Sequence, residues 1–279
     1  MCIRDRAYTA IGWQKEKFWV PAVRVDENRH WDPELFDDTT LKPLVKKKLK
    51  RYPKNRLIAH LAHCALVYHC FAAKNLFYER WEIPLPISPV CNAQCLGCLS
   101  SQPAGLCASM QRIKFIPTVT EIVQLAVPHL EKAPEAIVSF GQGCEGEPIL
   151  QSDLIVKAVK EMRRLTSRGT IHLNTNGSLP LQIKRICKAG IDSIRFSLNS
   201  VDPDLYHLYF RPRNYQFKEV IQSIDIAKKE GLGAILSQGI KSASRELNLE
   251  DLAIHVKGLE PAGYDPRILK GMGLAYGLS

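Results

Sequence analysis

The chain has 279 residues and a formal net charge of +10, with 46% hydrophobic and 24% charged residues. This composition argues against a largely disordered chain and is sufficient for a buried core. No apolar run reaches the roughly 18 residues that a membrane-spanning helix needs, so we predict no membrane association.

The start of the chain has no apolar stretch followed by a small-residue cleavage site, and we therefore expect a cytoplasmic location. In that reducing compartment, nine cysteines indicate metal binding or catalysis rather than disulfides. The basic run over residues 46–51 is typical of a solvated face, so nucleic-acid binding is not indicated.

The first 80 residues are assigned to an N-terminal extension. Residues 1–55 show little periodicity and predict irregular structure, whereas residues 56–80 lack Gly and Pro and predict one long, largely buried helix. His60 and Cys64 are spaced i,i+4 on this helix and could share a metal ion, although a packed helix is the favoured interpretation.

Strand and helix patterns alternate after residue 80. The helices are predicted over residues 119–132, 153–167, 181–189 and 217–230, and the strands over residues 83–87, 136–140, 171–174 and 194–198. The alternation predicts parallel βαβ units and an α/β core over residues 81–233. These patterns leave open a doubly wound sheet or a piece of a β/α barrel.

Residues 234–279 follow no clear strand–helix pattern. We treat them as a separate C-terminal segment of the kind that a truncated or frame-shifted chain would carry. The core assignment does not depend on them.

Three cysteines form the sharpest motif of the chain. Cys91, Cys95 and Cys98 have the spacing C-x3-C-x2-C in a loop directly after the first predicted strand. Three thiolates can hold a four-iron cluster and leave one iron open to a small ligand. Zinc remains the alternative, because Cys107 could supply the fourth ligand of a closed site.

This cysteine spacing after the first strand of a βα series resembles the radical S-adenosylmethionine superfamily. The resemblance extends over residues 83–230 and implies a partial (β/α) TIM-type barrel that follows the N-terminal helical extension. It also implies two cofactors, a [4Fe–4S] cluster held by the three cysteines and S-adenosylmethionine.

Residues 145–148 resemble the Gly-Gly-Glu-Pro motif of that family, with Glu145 in place of the first glycine. The resemblance implies that Gly146, Glu147 and Pro148 hold the amino group of S-adenosylmethionine. A glycine allows close approach of the backbone, and a carboxylate attracts an ammonium group.

Polar residues end the third and fourth predicted strands, where β/α barrels build their sites. The resemblance implies that Asn174, Asn176, Ser197 and Asn199 face the ribose and the methionine carboxylate. Asn176, Ser197 and Asn199 also fit turns. Arg211 could clamp a carboxylate with two hydrogen bonds, and a surface arginine is the alternative.

The resemblance implies reductive cleavage of S-adenosylmethionine to a 5′-deoxyadenosyl radical, which removes hydrogen from a substrate that the sequence does not identify. A flavodoxin- or ferredoxin-like electron donor is the expected partner. The alternative function is a non-catalytic Fe–S or zinc-binding protein, such as a degenerate relative. Cys107 and Cys144 are interpreted as buried free cysteines.

Overall fold

The computed structural model describes residues 12–19, 29–102, 108–198 and 200–232. The N-terminal region opens with an antiparallel hairpin of β1 (Gly12–Gln14) and β2 (Lys17–Trp19).

The prediction of irregular structure over residues 1–55 is wrong for α1 (Asp38–Arg51). Asp37 caps this helix by accepting a hydrogen bond from the Thr39 backbone N–H, and such an N-cap can start a helix that has little apolar periodicity.

The single helix predicted over residues 56–80 is also wrong, because this stretch forms α2 (Arg56–Leu66) and α3 (Phe71–Tyr78), bent by 119°. His69 between them has a φ of 52°, a left-handed conformation that interrupts a helix. The bend lets both helices pack on the core. No single described helix is long and apolar enough to cross a membrane; α2 and α3 reach that length and composition only together.

A four-stranded parallel sheet follows, with its strands in the order β3-β4-β5-β6. Helices connect consecutive strands, and two further helices follow the last one. The strands are β3 (Glu82–Pro84), β4 (Ile137–Phe140), β5 (Thr170–Thr175) and β6 (Ser193–Phe196), and the helices are α4 (Val119–Lys132), α5 (Ser152–Leu165), α6 (Pro180–Cys187), α7 (Pro203–Phe210) and α8 (Phe217–Lys229).

This strand order confirms the α/β class and decides between the two architectures. A doubly wound sheet reverses its strand order at a switch point, whereas consecutive strands of a β/α barrel lie side by side. Here each strand pairs with the next one in the chain, and within the described residues the sheet is not closed. The core is therefore a partial (β/α) barrel.

The two faces of the sheet differ because successive side chains of a strand point to opposite sides. One face is apolar and fully buried under the helices, as at Val138 and Leu173. The other face is polar: Ser139 donates to Glu82 at 2.6 Å, and the His172 Nδ1 atom lies 2.6 Å from Ser193 Oγ. A polar surface thus lines the inner side of the partial barrel.

Candidate functional site

The cysteine loop, residues 91–98, follows β3 and is held in place by the chain after β6. Leu96 donates its backbone N–H to the Tyr209 carbonyl at 3.0 Å, and Gln94 donates to the Phe210 carbonyl at 2.9 Å. Arg213 donates in return to the Asn92 carbonyl at 2.7 Å. The end of α7, a helix that the sequence analysis missed, therefore orders the loop.

An aromatic cluster lies against the cysteine loop. Ala93 and Cys95 pack on it, and Gly97 is so close to Tyr209 that an added Cβ would lie 2.7 Å from the phenol oxygen. The aromatic cluster therefore covers one side of Cys95. Its buried residues are Tyr206, Phe210, Tyr215, Phe217 and Val220.

All three cysteines of the loop are half-buried free thiols. Burial, with the neighbouring Cys91 and Cys98, raises the pKa of Cys95 to about 12, and burial with the nearby Glu147 carboxylate raises the pKa of Cys91. These groups therefore share one low-dielectric site. A bound metal would have to displace the protons, since the thiolate is the ligand form.

The three sulfurs of the cysteine loop do not all lie within 4.8 Å of one another. A tetrahedral zinc ion holds two cysteine sulfurs about 3.8 Å apart. In the part of the chain that the structure describes, these cysteines are not among the groups whose ligand atoms converge within 4.8 Å of one another. A four-iron cluster is bound at a different iron by each cysteine, so these three donors fit a cluster.

Glu145 replaces the first glycine of the family motif and is 4% exposed. Its Oε2 atom accepts hydrogen bonds from the backbone N–H groups of Ile87 at 2.8 Å and Ser88 at 2.9 Å. Its Oε1 atom accepts from Gly141 at 2.6 Å and Gln142 at 3.3 Å. One carboxylate thus joins the chain that follows β3 to the chain that follows β4.

The next two residues continue this connection. Gly146 donates its N–H to the Ser88 carbonyl at 2.7 Å, and Glu147 donates to the Val90 carbonyl at 2.9 Å. A Cβ on Gly146 would lie 2.0 Å from the Val90 carbonyl oxygen. A glycine is therefore required here because the backbone passes close to Val90. The approach of Gly146 to a ligand remains a prediction.

The Glu147 carboxylate is buried and already has three donors within the chain. Thr175 donates its hydroxyl to Oε1 at 2.6 Å, and the N–H groups of Ile149 and Asn176 donate at 3.0 and 2.8 Å. Burial raises the pKa of Glu147 to about 7, and these hydrogen bonds oppose the rise. An ionised carboxylate accepts about four hydrogen bonds, so capacity for one ligand donor remains.

The predicted asparagines are hydrogen-bonded inside the site. Asn176 donates its side-chain amide to Asn92 Oδ1 in the cysteine loop at 2.8 Å and accepts from the Ser178 N–H at 3.0 Å. Asn174 donates to the Phe140 carbonyl at 3.2 Å and lies 3.1 Å from His172 Nε2. Asn176 therefore serves as both a turn residue and a link to the cysteine loop.

The structure shows no ligand-directed side-chain contact for the other predicted site residues that it describes, and their backbone positions are as follows. Pro148 opens a 3₁₀ turn whose N-cap is Glu147, and Ser197 extends the pairing of β6 with β5 through its N–H. Arg211 has a φ of 46° and an exposed side chain, and its carbonyl rather than its guanidinium contacts the loop. Asn199 and Cys107 lie outside the described residues. The ligand contacts assigned to these residues remain predictions.

Three contributors to the site were missed or undervalued from the sequence. Asn92 lies between two cysteines and also donates to Ser178 Oγ at 2.9 Å. Arg112 donates to Cys98 Sγ at 3.5 Å. Glu145 was noted only as a departure from the motif. The available signal for Glu145 was an acidic residue in place of a motif glycine. If such a carboxylate is buried, it needs several hydrogen-bond donors around it.

The fold and the site together define a class of protein. The family model described as the Radical SAM superfamily matches residues 85–241, more than half of the chain, and the chain belongs to this superfamily. Its members use a [4Fe–4S] cluster and S-adenosylmethionine, which confirms the cofactors predicted for this class. A second family model, aldehyde ferredoxin oxidoreductase domains 2 and 3, matches residues 216–279, most of which lie outside the described residues.

The curated relatives include GTP 3′,8-cyclase of Petrotoga mobilis, 26% identical over 62% of this chain and 53% of that protein. GTP 3′,8-cyclase of Haemophilus influenzae is 30% identical over 56% of this chain and 44% of its own length. Molybdenum cofactor biosynthesis protein 1 of Bos taurus is 26% identical over 76% of this chain and 32% of its own length. The chain thus spans about a third to a half of these relatives.

Among solved structures, HydG, a maturase of the [FeFe]-hydrogenase, matches with a TM-score of 0.40 and 16% identity. The match covers 71% of this chain and 49% of the HydG chain.

Proposed function

We propose that this protein is a radical S-adenosylmethionine enzyme that cleaves its cofactor reductively and abstracts hydrogen from a substrate. When bound, the reduced [4Fe–4S] cluster supplies the electron that breaks the sulfonium C–S bond and yields the 5′-deoxyadenosyl radical. The observation that carries the proposal is the direct connection between the cysteine loop and the motif residues, through Asn92, Asn176 and Glu147. A structural metal site requires no such connection.

The chain itself would bind, orient and shield. Cys91, Cys95 and Cys98 would hold the cluster, and Glu147 would use its remaining acceptor capacity for the amino group of S-adenosylmethionine. The aromatic cluster beneath the loop would keep water away from the reactive site. Asn174, Ser197, Asn199 and Arg211 remain proposed contacts to the rest of the cofactor.

The substrate would bind on the polar inner face of the sheet. This face carries Glu82, Ser139, His172 and Ser193 beside the strand ends that hold the motif residues. Several curated relatives are named GTP 3′,8-cyclase, so GTP is the first substrate to test. We also propose a cytoplasmic location, with which the free thiols of the described cysteines agree, and a flavodoxin- or ferredoxin-like protein as the electron donor.

The test begins with anaerobic reconstitution with iron and sulfide, followed by reduction. We expect a [4Fe–4S]⁺ electron paramagnetic resonance signal that shifts when S-adenosylmethionine is added, and 5′-deoxyadenosine as a product. GTP should increase 5′-deoxyadenosine formation if it is the substrate. A cluster signal that ignores S-adenosylmethionine, with no 5′-deoxyadenosine formed, would favour the non-catalytic Fe–S alternative.

A further inference from the structure

A second group of metal-ligating side chains lies apart from the cysteine loop. His60 and Cys64 are one turn apart on α2, and Cys144 lies after β4, next to Glu145. The His60 Nε2 atom is 3.7 Å from Cys64 Sγ, and the ligand atoms of all three residues lie within 4.8 Å of one another. The group therefore joins the N-terminal helices to the motif loop.

The distance between His60 Nε2 and Cys64 Sγ resembles that between two ligands of a tetrahedral site, and the Cys144 sulfur lies within 4.8 Å of both atoms. Zinc bonds of about 2.3 Å to sulfur and 2.0–2.1 Å to nitrogen place an imidazole nitrogen about 3.6 Å from a thiolate sulfur. Cysteine and histidine are also the ligands that zinc prefers. We propose that His60, Cys64 and Cys144 bind one zinc ion, separate from the cluster, which fastens α2 to the loop that carries the cofactor motif.

The surroundings suit a bound ion. Cys64 is 2% exposed and Cys144 is 3% exposed, so both thiol ligands are shielded from solvent. A groove of about 330 Å³ borders His60, and in the proposed site a solvent molecule from this side would complete the four ligands. Phe115 meets the His60 ring edge-on at 6.4 Å between centroids and helps to fix its orientation.

Cys64 and Cys144 have two alternative interpretations, a disulfide or two inert buried thiols. Neither gives a role to the imidazole nitrogen 3.7 Å from Cys64 Sγ, whereas a zinc ion would use it as a third ligand. The location also gives the ion a structural purpose, because Cys144 immediately precedes the residue whose carboxylate joins the ends of β3 and β4. Zinc would thus hold this loop in addition to the backbone hydrogen bonds that Glu145 accepts.

The decisive measurement is elemental analysis and zinc K-edge X-ray absorption on the full chain purified from zinc-supplemented medium. We expect about one zinc ion per chain, coordinated by two sulfurs and one imidazole nitrogen, with iron bound elsewhere. Zinc-edge absorption does not detect iron, so the result is independent of the cluster. It is also independent of the proposed function, which is tested by the response to S-adenosylmethionine.

Variants identify the ligands. Cys64→Ser and His60→Ala should weaken zinc binding at least tenfold while iron and sulfide contents stay unchanged. Cys187→Ser, at a half-buried cysteine on α6, is the matched control and should retain zinc. If the Cys64 variant does not fold, the absorption spectrum of the wild-type protein still decides. Absence of zinc, a zinc shell of four sulfurs, or a Cys64–Cys144 disulfide in the isolated protein would overturn the proposal.

Discussion

The side-chain amide of Asn176 donates a 2.8 Å hydrogen bond to Asn92 Oδ1, 84 residues away in the sequence. This contact connects the end of β5 to the cysteine loop. Glu147 accepts the backbone N–H of Asn176 at 2.8 Å, so the same asparagine also connects the loop to the motif carboxylate. Cluster and cofactor would therefore be positioned by one continuous hydrogen-bond network.

The asparagine contact can be measured by a double-mutant cycle of Asn92→Ala and Asn176→Ala. We expect a coupling energy of about 1 kcal/mol in the free energy of unfolding, because the two side chains bond directly in a partly buried setting. Chemical denaturation of the four proteins under anaerobic conditions provides the measurement. Strictly additive effects would show that the contact contributes nothing to stability.

Cys95→Ala should abolish cluster binding and leave a folded protein. Cys95 packs on the aromatic cluster, where the smaller alanine fits. The [4Fe–4S] cluster, however, would lose one of its three cysteine ligands. Iron and sulfide analysis after reconstitution checks the loss, and circular dichroism checks the fold. Cys187→Ala is the control. Full iron retention in the Cys95 variant would refute the assignment of three cysteine ligands.

Glu147→Gln should weaken S-adenosylmethionine binding by about ten- to a hundredfold with the cluster intact. The substitution keeps the shape of the side chain but removes the negative charge that would attract the ammonium group, and charge-assisted hydrogen bonds contribute roughly 1.5–3 kcal/mol. Equilibrium binding to the reconstituted protein provides the measurement. Glu161→Gln, on the surface of α5, should leave the affinity unchanged. An unaltered affinity for Glu147→Gln would place the amino-group site elsewhere.

Glu145→Gly would restore the common family motif but should destabilise this protein by about 3 kcal/mol. The substitution leaves four backbone N–H groups without their acceptor, and unsatisfied buried donors cost about 1–3 kcal/mol each before water compensates some of them. Urea denaturation measures the loss. Glu145→Gln, which retains one acceptor oxygen, should lose less. A glycine variant as stable as the wild type would contradict the structural role of Glu145.

Stability should fall in acid because of the ion pair between α2 and α4. The hydrogen bond from Arg56 to Glu121, 2.7 Å long, lowers the pKa of Glu121 from 4.5 to about 2. A lowered carboxyl pKa stabilises the fold above about pH 4.5, and this contribution is lost as the pH falls towards 2. Because Arg56 is half exposed, we expect a contribution of only about 1 kcal/mol.

Denaturation of wild type and Glu121→Gln across this range isolates that contribution. The two proteins should differ at neutral pH and converge in acid, and effects of acid on the cluster are common to both. Glu161→Gln, which alters an exposed ion pair, should show a smaller difference. A constant difference between wild type and Glu121→Gln at all pH values would exclude the ion pair as the cause.

Local sequence patterns predicted much of the core correctly. The strand and helix patterns indicate β4 (Ile137–Phe140), β5 (Thr170–Thr175) and α4 (Val119–Lys132) to within one residue of their observed bounds. The prediction of one helix over residues 56–80 was wrong because the bend at His69 depends on tertiary packing. Helix α7 was missed because its apolar residues do not form one clear face, unlike those of α6, which has the same length.

The sequence by itself determined the class of this protein, because three cysteines at close spacing and a glycine–glutamate–proline motif are short-range patterns. The tertiary structure decided what those patterns contact. In the folded chain, Glu145 accepts hydrogen bonds from the segments that follow two strands, and Asn176 bonds to Asn92. Cys144 lies beside His60 and Cys64 of α2. Such contacts join residues dozens of positions apart, and sequence spacing carries no information about which distant donor meets which acceptor.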